Sequence, residues 1–246
     1  MQSGKHQPKI ILWKDYRMSR LHVRGLMGVQ ILQAAVALSK ESDDDDCVIC
    51  VNNEKSESLS EEQLSNQLHH VFDAKCRVID IDAKQKTPYW VDGAATSLFE
   101  NRDNIFKFLV PRTEMIDNIF PGTTNAIHIR GKDKNVASIE SCKKLLEIAG
   151  PSTIIYTDDK EKVKQISETH EVSNNEQDID DWIDMYNAPI LYAAPSAFIM
   201  SMLVFNPDKK IVFMNEEMCN GDYPASAGDF LFLREAMKFC KNVSIL

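Results

Sequence analysis

Short apolar runs alternate along the chain with stretches whose apolar side chains recur every three or four positions. Lys9–Trp13, Cys47–Val51 and Arg77–Ile81 read as strands in the first half. A polar loop follows the first of them. Gly25 and Gly28 then open a helical segment carrying Ile31, Leu32, Ala35, Val36 and Leu38. Ser60-Glu61-Glu62-Gln63 has the form of a capping box, and Leu64, Leu68, Val71 and Phe72 mark one face of the helix that it starts. The second half repeats the alternation. Strands are expected at Ala126–Ile129, Thr153–Tyr156, Ile190–Tyr192 and Lys210–Phe213. Helices are expected from Ile139 to Ile148, from Lys160 to Thr169, from about Ser196, and from Gly228 to Cys240.

Strands and helices in alternation imply parallel sheets covered on both faces. The fold expected is α/β, with two Rossmann-like half-domains facing a cleft. Pro111–Gly122 is the best dividing segment, which gives domains 1–120 and 121–246.

Composition narrows the function. Of 246 residues, 43% are apolar, so a core can form, and 28 basic against 37 acidic side chains give a net charge of −9. That balance disfavours general binding to nucleic acid or to anionic membranes, but leaves room for a local basic site. The six cysteines follow no disulfide-framework spacing, and no apolar run approaches the roughly 20 residues of a membrane span. With a polar, basic N-terminus, the chain reads as a soluble cytoplasmic protein without a membrane span.

Three segments can carry chemistry. His128-Ile129-Arg130-Gly131-Lys132-Asp133-Lys134 follows a strand of the second half. The carboxyl ends of such strands border ligand crevices, and an arginine fork suits phosphate oxygens. A mixed-charge surface turn is the alternative reading. Gly25 and Gly28 either bring backbone N–H groups close to a ligand or serve helix–sheet packing alone. Finally, Tyr156-Thr157-Asp158-Asp159 and Ala193–Phe198 are both strand-to-helix junctions. Thr157 or Asp158, and Ser196, suit helix capping and phosphate binding alike.

The order of these segments resembles that of the α-1,2-fucosyltransferases, whose motifs run G-G-L-G-N-Q-x-x-Q-x-A, H-x-R-R-G-D, [ST]-D-D and N-S-[ST]-F-S-W-W. Gly25, Gly28, Gln30, Gln33 and Ala35 match the first motif, and His128, Arg130 and Asp133 the second. Thr157, Asp158 and Asp159 match the third, and Ser196 and Phe198 the fourth. Asp181 and Met185 are similar to the family's D-x-x-x-M helix. The chain departs at Val29, at Gly131 in place of the second arginine, and at Ile199-Met200-Ser201.

The resemblance implies a GT-B enzyme, inverting and metal-free, that moves a deoxyhexose from a nucleotide sugar such as GDP-L-fucose to a glycan hydroxyl. It places Gly25, Gly28, His128, Arg130, Lys132, Thr157, Asp158, Ser196 and Phe198 at the donor, with Arg130 and Asp133 in the chemistry. No cofactor beyond the donor is expected. Its departures keep two alternatives open: a transferase for another sugar such as L-rhamnose, and a non-catalytic nucleotide-sugar-binding scaffold. Without a metal, negative charge growing on the leaving diphosphate must be met by fixed cations and N–H dipoles. The catalytic base is not identified by the sequence, and His22 and Asp15 read as loop residues.

The remaining features read as structural. The acidic run Asp43–Asp46 reads as a solvated loop, and Cys47-x-x-Cys50 as part of an apolar strand. One of His69 and His70 is expected to pack and the other to be solvated. Met200, Met202 and Phe205 are expected in the core, and Tyr89, Trp90 and Phe106 either in the core or stacked on an acceptor sugar.

Overall fold

Two parallel sheets organise the chain, and they meet through helices. The structure, a computed structural model, describes residues 18–23, 27–39, 46–51, 60–80, 92–112, 124–131, 135–222 and 225–246. In the first half, strands β1 (Met18–Val23), β2 (Asp46–Val51) and β4 (Cys76–Asp80) form a three-stranded parallel sheet in the order β1-β2-β4. Helices α1 (Met27–Leu38) and α2 (Glu61–Val71) connect them. Strands β3 (Phe72–Ala74) and β5 (Leu109–Pro111) pair antiparallel, with α3 (Ala94–Glu100) and α4 (Arg102–Phe106) before β5.

The second half holds β6 (Asn125–Ile129), α5 (Ile139–Ala149), β7 (Thr153–Thr157), α6 (Lys160–Ile166) and α7 (Asp178–Asn187). It continues with β8 (Leu191–Ala193), α8 (Ala197–Phe205), β9 (Ile211–Phe213), α9 (Ala227–Ala236) and β10 (Val243–Ile245). Its five strands are all parallel, in the order β10-β9-β8-β6-β7.

Period-two alternation divides this sheet between two cores. Ile127, Ile129, Ile155 and Tyr192 pack with α5 and α6 through Cys142, Leu145, Leu146 and Val163. Ala126, Tyr156, Leu191, Ala193, Ile211 and Phe213 face the other way, toward α7, α8 and α9. That second core runs on without a break into the first half, through Ile31, Leu32, Phe72 and Leu98. Helix α8 is apolar all round, as a helix buried between two layers must be, and Met200, Met202 and Phe205 lie in its core as expected.

Two charged side chains fasten one half to the other at helix ends. Arg102 Nε donates to Val204 O at 2.8 Å and its Nη2 to Phe205 O at 3.2 Å, a cap on the C-terminus of α8. In the reverse direction, buried Glu235 of α9 accepts from Gly93 N at 2.7 Å and Thr96 N at 3.3 Å. These amides start α3, whose N-cap Gly93 supplies no side-chain cap of its own. Each places a charge at the helix end of opposite sign. Replacing Glu235 by Ala is expected to cost about 1.5–3 kcal/mol in urea unfolding, since a charged acceptor is lost from two amides. Glu216→Ala, which removes an exposed ion pair with Arg234, is expected to cost well under ~1 kcal/mol. Equal losses for the two would refute this role for Glu235.

Several sequence expectations are corrected. The polar loop after residue 13 contains β1, so His22 is a strand residue. The expected strand Lys9–Trp13, the acidic run, Asp15, Tyr89 and Trp90 lie outside the described residues, apart from Asp46, which opens β2. Helix α6 stops at Ile166, not Thr169, because Ser167 Oγ accepts from the amides of Thr169 and His170 at 3.2 Å each and turns the chain. His69 and His70 are both exposed, on the side of α2 away from Leu64 and Leu68. Phe106 packs against Phe205 at a centroid distance of 6.2 Å. The capping box at Ser60 forms, with Gln63 N donating to Ser60 Oγ at 3.2 Å and Ser60 N to Gln63 Oε1 at 3.0 Å. No described helix is long and apolar enough to cross a membrane.

Candidate functional site

Strand order fixes where a ligand can enter the second sheet. From β6 the chain moves to β7 on one side and then crosses to β8 on the other. A crevice forms where the direction of winding reverses, outside the carboxyl ends of β6 and β8. Those ends are His128-Ile129-Arg130 and Ala193-Ala194-Pro195-Ser196.

Beside this point α8 begins. Ser196 is its N-cap, with Oγ accepting from Ile199 N at 3.4 Å, so the expected capping role is confirmed. The helix carries no acidic residue in its first turn, and neither does α1. The two helix starts meet. A Cβ on Gly28 would lie inside the envelope of Phe198 Cα and 2.7 Å from Phe198 N. Gly28 thus packs helix against helix, where helix against sheet was expected, and it draws the first turn of α1 onto that of α8.

His128 joins the strand end to this junction. Its ring lies 5.6 Å from that of Phe198, tilted by 37°. Burial, and then the neighbouring Arg130 guanidinium, push the imidazole down to about 3. His128 is thus neutral at physiological pH and too weak a base to accept a hydroxyl proton efficiently. Its folded value lies below the ordinary one, so over roughly pH 6.5 to 3 the unfolded chain takes up a proton that the folded chain refuses. Stability contributed by neutral His128 is present above that window and lost as pH falls through it. The melting temperature of His128→Asn is expected to fall less than that of the native chain between pH 6.5 and pH 4. Parallel decline would refute the assignment.

The β7 end is committed to holding the β6 loop. Asp158 Oδ1 accepts from Gly131 N at 2.8 Å, and Thr157 Oγ1 from Asp159 N at 2.9 Å. The N-cap of α6 is Asp159, which accepts from Lys162 N at 2.9 Å, so neither Thr157 nor Asp158 caps that helix. A Cβ at Gly131 would stand 3.0 Å from the Asp159 side chain and from Lys162 Cδ, so the loop lies close over both.

The structure thus gathers Gly28, His128, Arg130, Ser196 and Phe198 around one junction, with Thr157 and Asp158 bracing its edge. Gly25, Lys132 and Asp133 lie outside the described residues. Two contributors were missed in the sequence. Lys162 is buried beneath the loop after β6, and Ser201 accepts from Trp182 Nε1 at 3.0 Å while donating to Phe198 O at 2.7 Å, which ties the first turn of α8 to α7. The spacing of Lys162 from Asp158-Asp159, one helical turn on, was the only available signal for the lysine.

No protein-family model matches the chain, and no curated protein matches it in sequence. Among solved structures, the chain is similar to E. coli heptosyltransferase WaaC with ADP, with a TM-score of 0.53 and 9% identity over 93% of this chain and 92% of that one. It also matches the β-Kdo 2,7-transferase KpsC of Thermosulfurimonas dismutans at a TM-score of 0.30 and 12% identity, over 89% of each chain. The likeness to WaaC agrees with the observed sheets and establishes the architecture as α/β of the GT-B type.

Proposed function

We propose that the chain is a glycosyltransferase whose donor is a nucleoside diphosphate sugar, with the diphosphate at the junction of α1 and α8. One observation carries this reading: two helix starts without acidic residues meet beside His128, whose charged neighbour is Arg130, at the switch point of a parallel sheet. Two positive helix ends in contact repel one another, and an anion bound alongside both removes that cost. The ADP held by WaaC, a protein of the same fold, supports a nucleotide as the ligand.

Within this reading, the acceptor hydroxyl attacks the anomeric carbon, the bond to the diphosphate breaks, and the acceptor proton passes to a base. Arg130 and the α8 amides meet the charge on the leaving group. Lys132 is assigned to the same charge, and Asp133 to the acceptor proton or to the orientation of Arg130. The lowered proton affinity of His128 argues against it as the base. The motif resemblance favours a deoxyhexose donor, GDP-L-fucose first and an L-rhamnose donor second, with the glycan acceptor entering from the first half. The reading requires no metal.

The test is a thermal-shift panel of GDP, UDP, TDP and ADP with their sugars, because a ligand bound only by the folded chain raises its stability. Stabilisation by GDP compounds supports the fucose donor, and by UDP or TDP compounds another sugar. Binding followed by neither hydrolysis nor transfer would establish a scaffold. Absence of stabilisation by any of the four nucleotides would remove the reading.

A further inference from the structure

We infer that Lys162 is the positioning residue of the Arg130 site. This rests on the reading of Arg130 as the counter-ion of the diphosphate. Lys162 is 7% exposed, on the first turn of α6. A lysine ammonium is rarely buried to this degree without partners, and it has three N–H donors to place. All three go to one segment: Nζ donates to Arg130 O at 3.3 Å, Asn135 Oδ1 at 2.5 Å and Ala137 O at 2.8 Å. With its donors used, the ammonium is a knot in the loop and no ligand group.

What it ties is specific. Arg130 leaves the end of β6, and Ala137 sits just before the N-cap of α5, so one ammonium draws the two ends of the loop together. Other contacts hold single points of it. Asp158 takes Gly131 N at 2.8 Å, Gly221 N donates to Val136 O at 2.9 Å, and Asn135 Nδ2 donates to Asp222 Oδ2 at 3.1 Å. Among the described contacts, Lys162 alone reaches both ends. The buried charge is compensated only while the loop is in place, so solvating the lysine and releasing Arg130 are one event. The direction in which the Arg130 side chain departs is set by its own backbone, whose carbonyl Lys162 holds. A misplacement of about 1 Å in such a group costs on the order of 10²-fold in function.

The experiment uses the full chain with Lys162→Met, Lys162→Arg, Asn135→Ala, Arg130→Ala and the Lys162→Met/Arg130→Ala pair. Affinities for GDP, UDP and ADP are measured by calorimetry, and amide hydrogen exchange is followed over residues 131–137. Lys162→Met is expected to exchange that loop at least 10-fold faster, with α7 and the first half unchanged, and to weaken the nucleotide that binds by roughly 10-fold or more. In the double variant the loss is expected to equal that of Arg130→Ala alone, because both changes remove the same contact. Lys162→Arg should restore part of the affinity. Asn135→Ala leaves the charge in place and removes one acceptor together with the contact to Asp222, so a weakened affinity there reports the position of the loop and not charge. Should Lys162→Met fail to fold, Asn135→Ala carries the test. Native exchange with native affinity in the folded variants, or losses that add in the double variant, would overturn the inference. A native chain that binds none of the three nucleotides sinks the transfer reading instead, and the exchange arm still decides whether Lys162 ties the loop.

Discussion

Arg130→Ala is expected to abolish sugar transfer while shifting the melting temperature by little. Arg130 stands where β6 ends, at the reversal of strand order, next to a histidine whose proton affinity is depressed by burial and then by the Arg130 charge. Loss of one preorganised donor to a developing oxyanion costs roughly 10²–10³ in rate. Arginine offers two parallel donors to a diphosphate, so the loss here is expected at or beyond the upper end of that range. A lysine in its place keeps the charge but not the planar fork, and Arg130→Lys is expected to recover only part of the rate. The side chain is half-buried at the edge of the sheet, outside the main cores, so folding depends on it little. Release of nucleoside diphosphate from the donor identified by the binding panel is the readout. Full turnover by Arg130→Ala would falsify the assignment, whatever the fold.

Gly28→Ala is expected to be strongly destabilising for a change of a single methyl group. The added carbon would collide with backbone atoms of Phe198, which cannot swing aside as a side chain does. Overpacking a well-filled site costs about 1–3 kcal/mol, and a backbone obstacle places this case at the top of that range. For a chain of this size that is several degrees in melting temperature. Gly93→Ala is the comparison. Its Cβ meets nothing within 4 Å, and the penalty comes only from its left-handed backbone, φ +76°, about 1–2 kcal/mol. If the Gly28 variant is the less damaged of the two, α1 and α8 do not pack as described. The same substitution parts the two helix starts, so nucleotide affinity is expected to fall with stability.

Much of the second half was readable before any coordinates. Short, largely apolar runs at 126–129, 153–156 and 210–213 became β6, β7 and β9 because strands buried on both faces need apolar side chains on both. Ser60, Ser138 and Ser196 cap helices through contacts within three residues, which is the range over which a sequence speaks for itself. The first half was less legible for a physical reason. Helix α3 has no local side-chain cap and is started by Glu235, 142 residues away in sequence. Strands β3 and β5 are three residues each, too short to show a period.

The sequence alone determined the alternation of strands and helices, hence an α/β fold of parallel sheets, and it nominated Arg130, His128 and Ser196 through the strand and helix ends on which they sit. Tertiary structure decided which of these residues meet. The contact of Gly28 with Phe198, that of the His128 ring with the same side chain, and the bonds from Lys162 to the loop that carries Arg130 all join residues at least 25 apart. No periodicity encodes them, because periodicity reports which face of an element is buried and not what it is buried against.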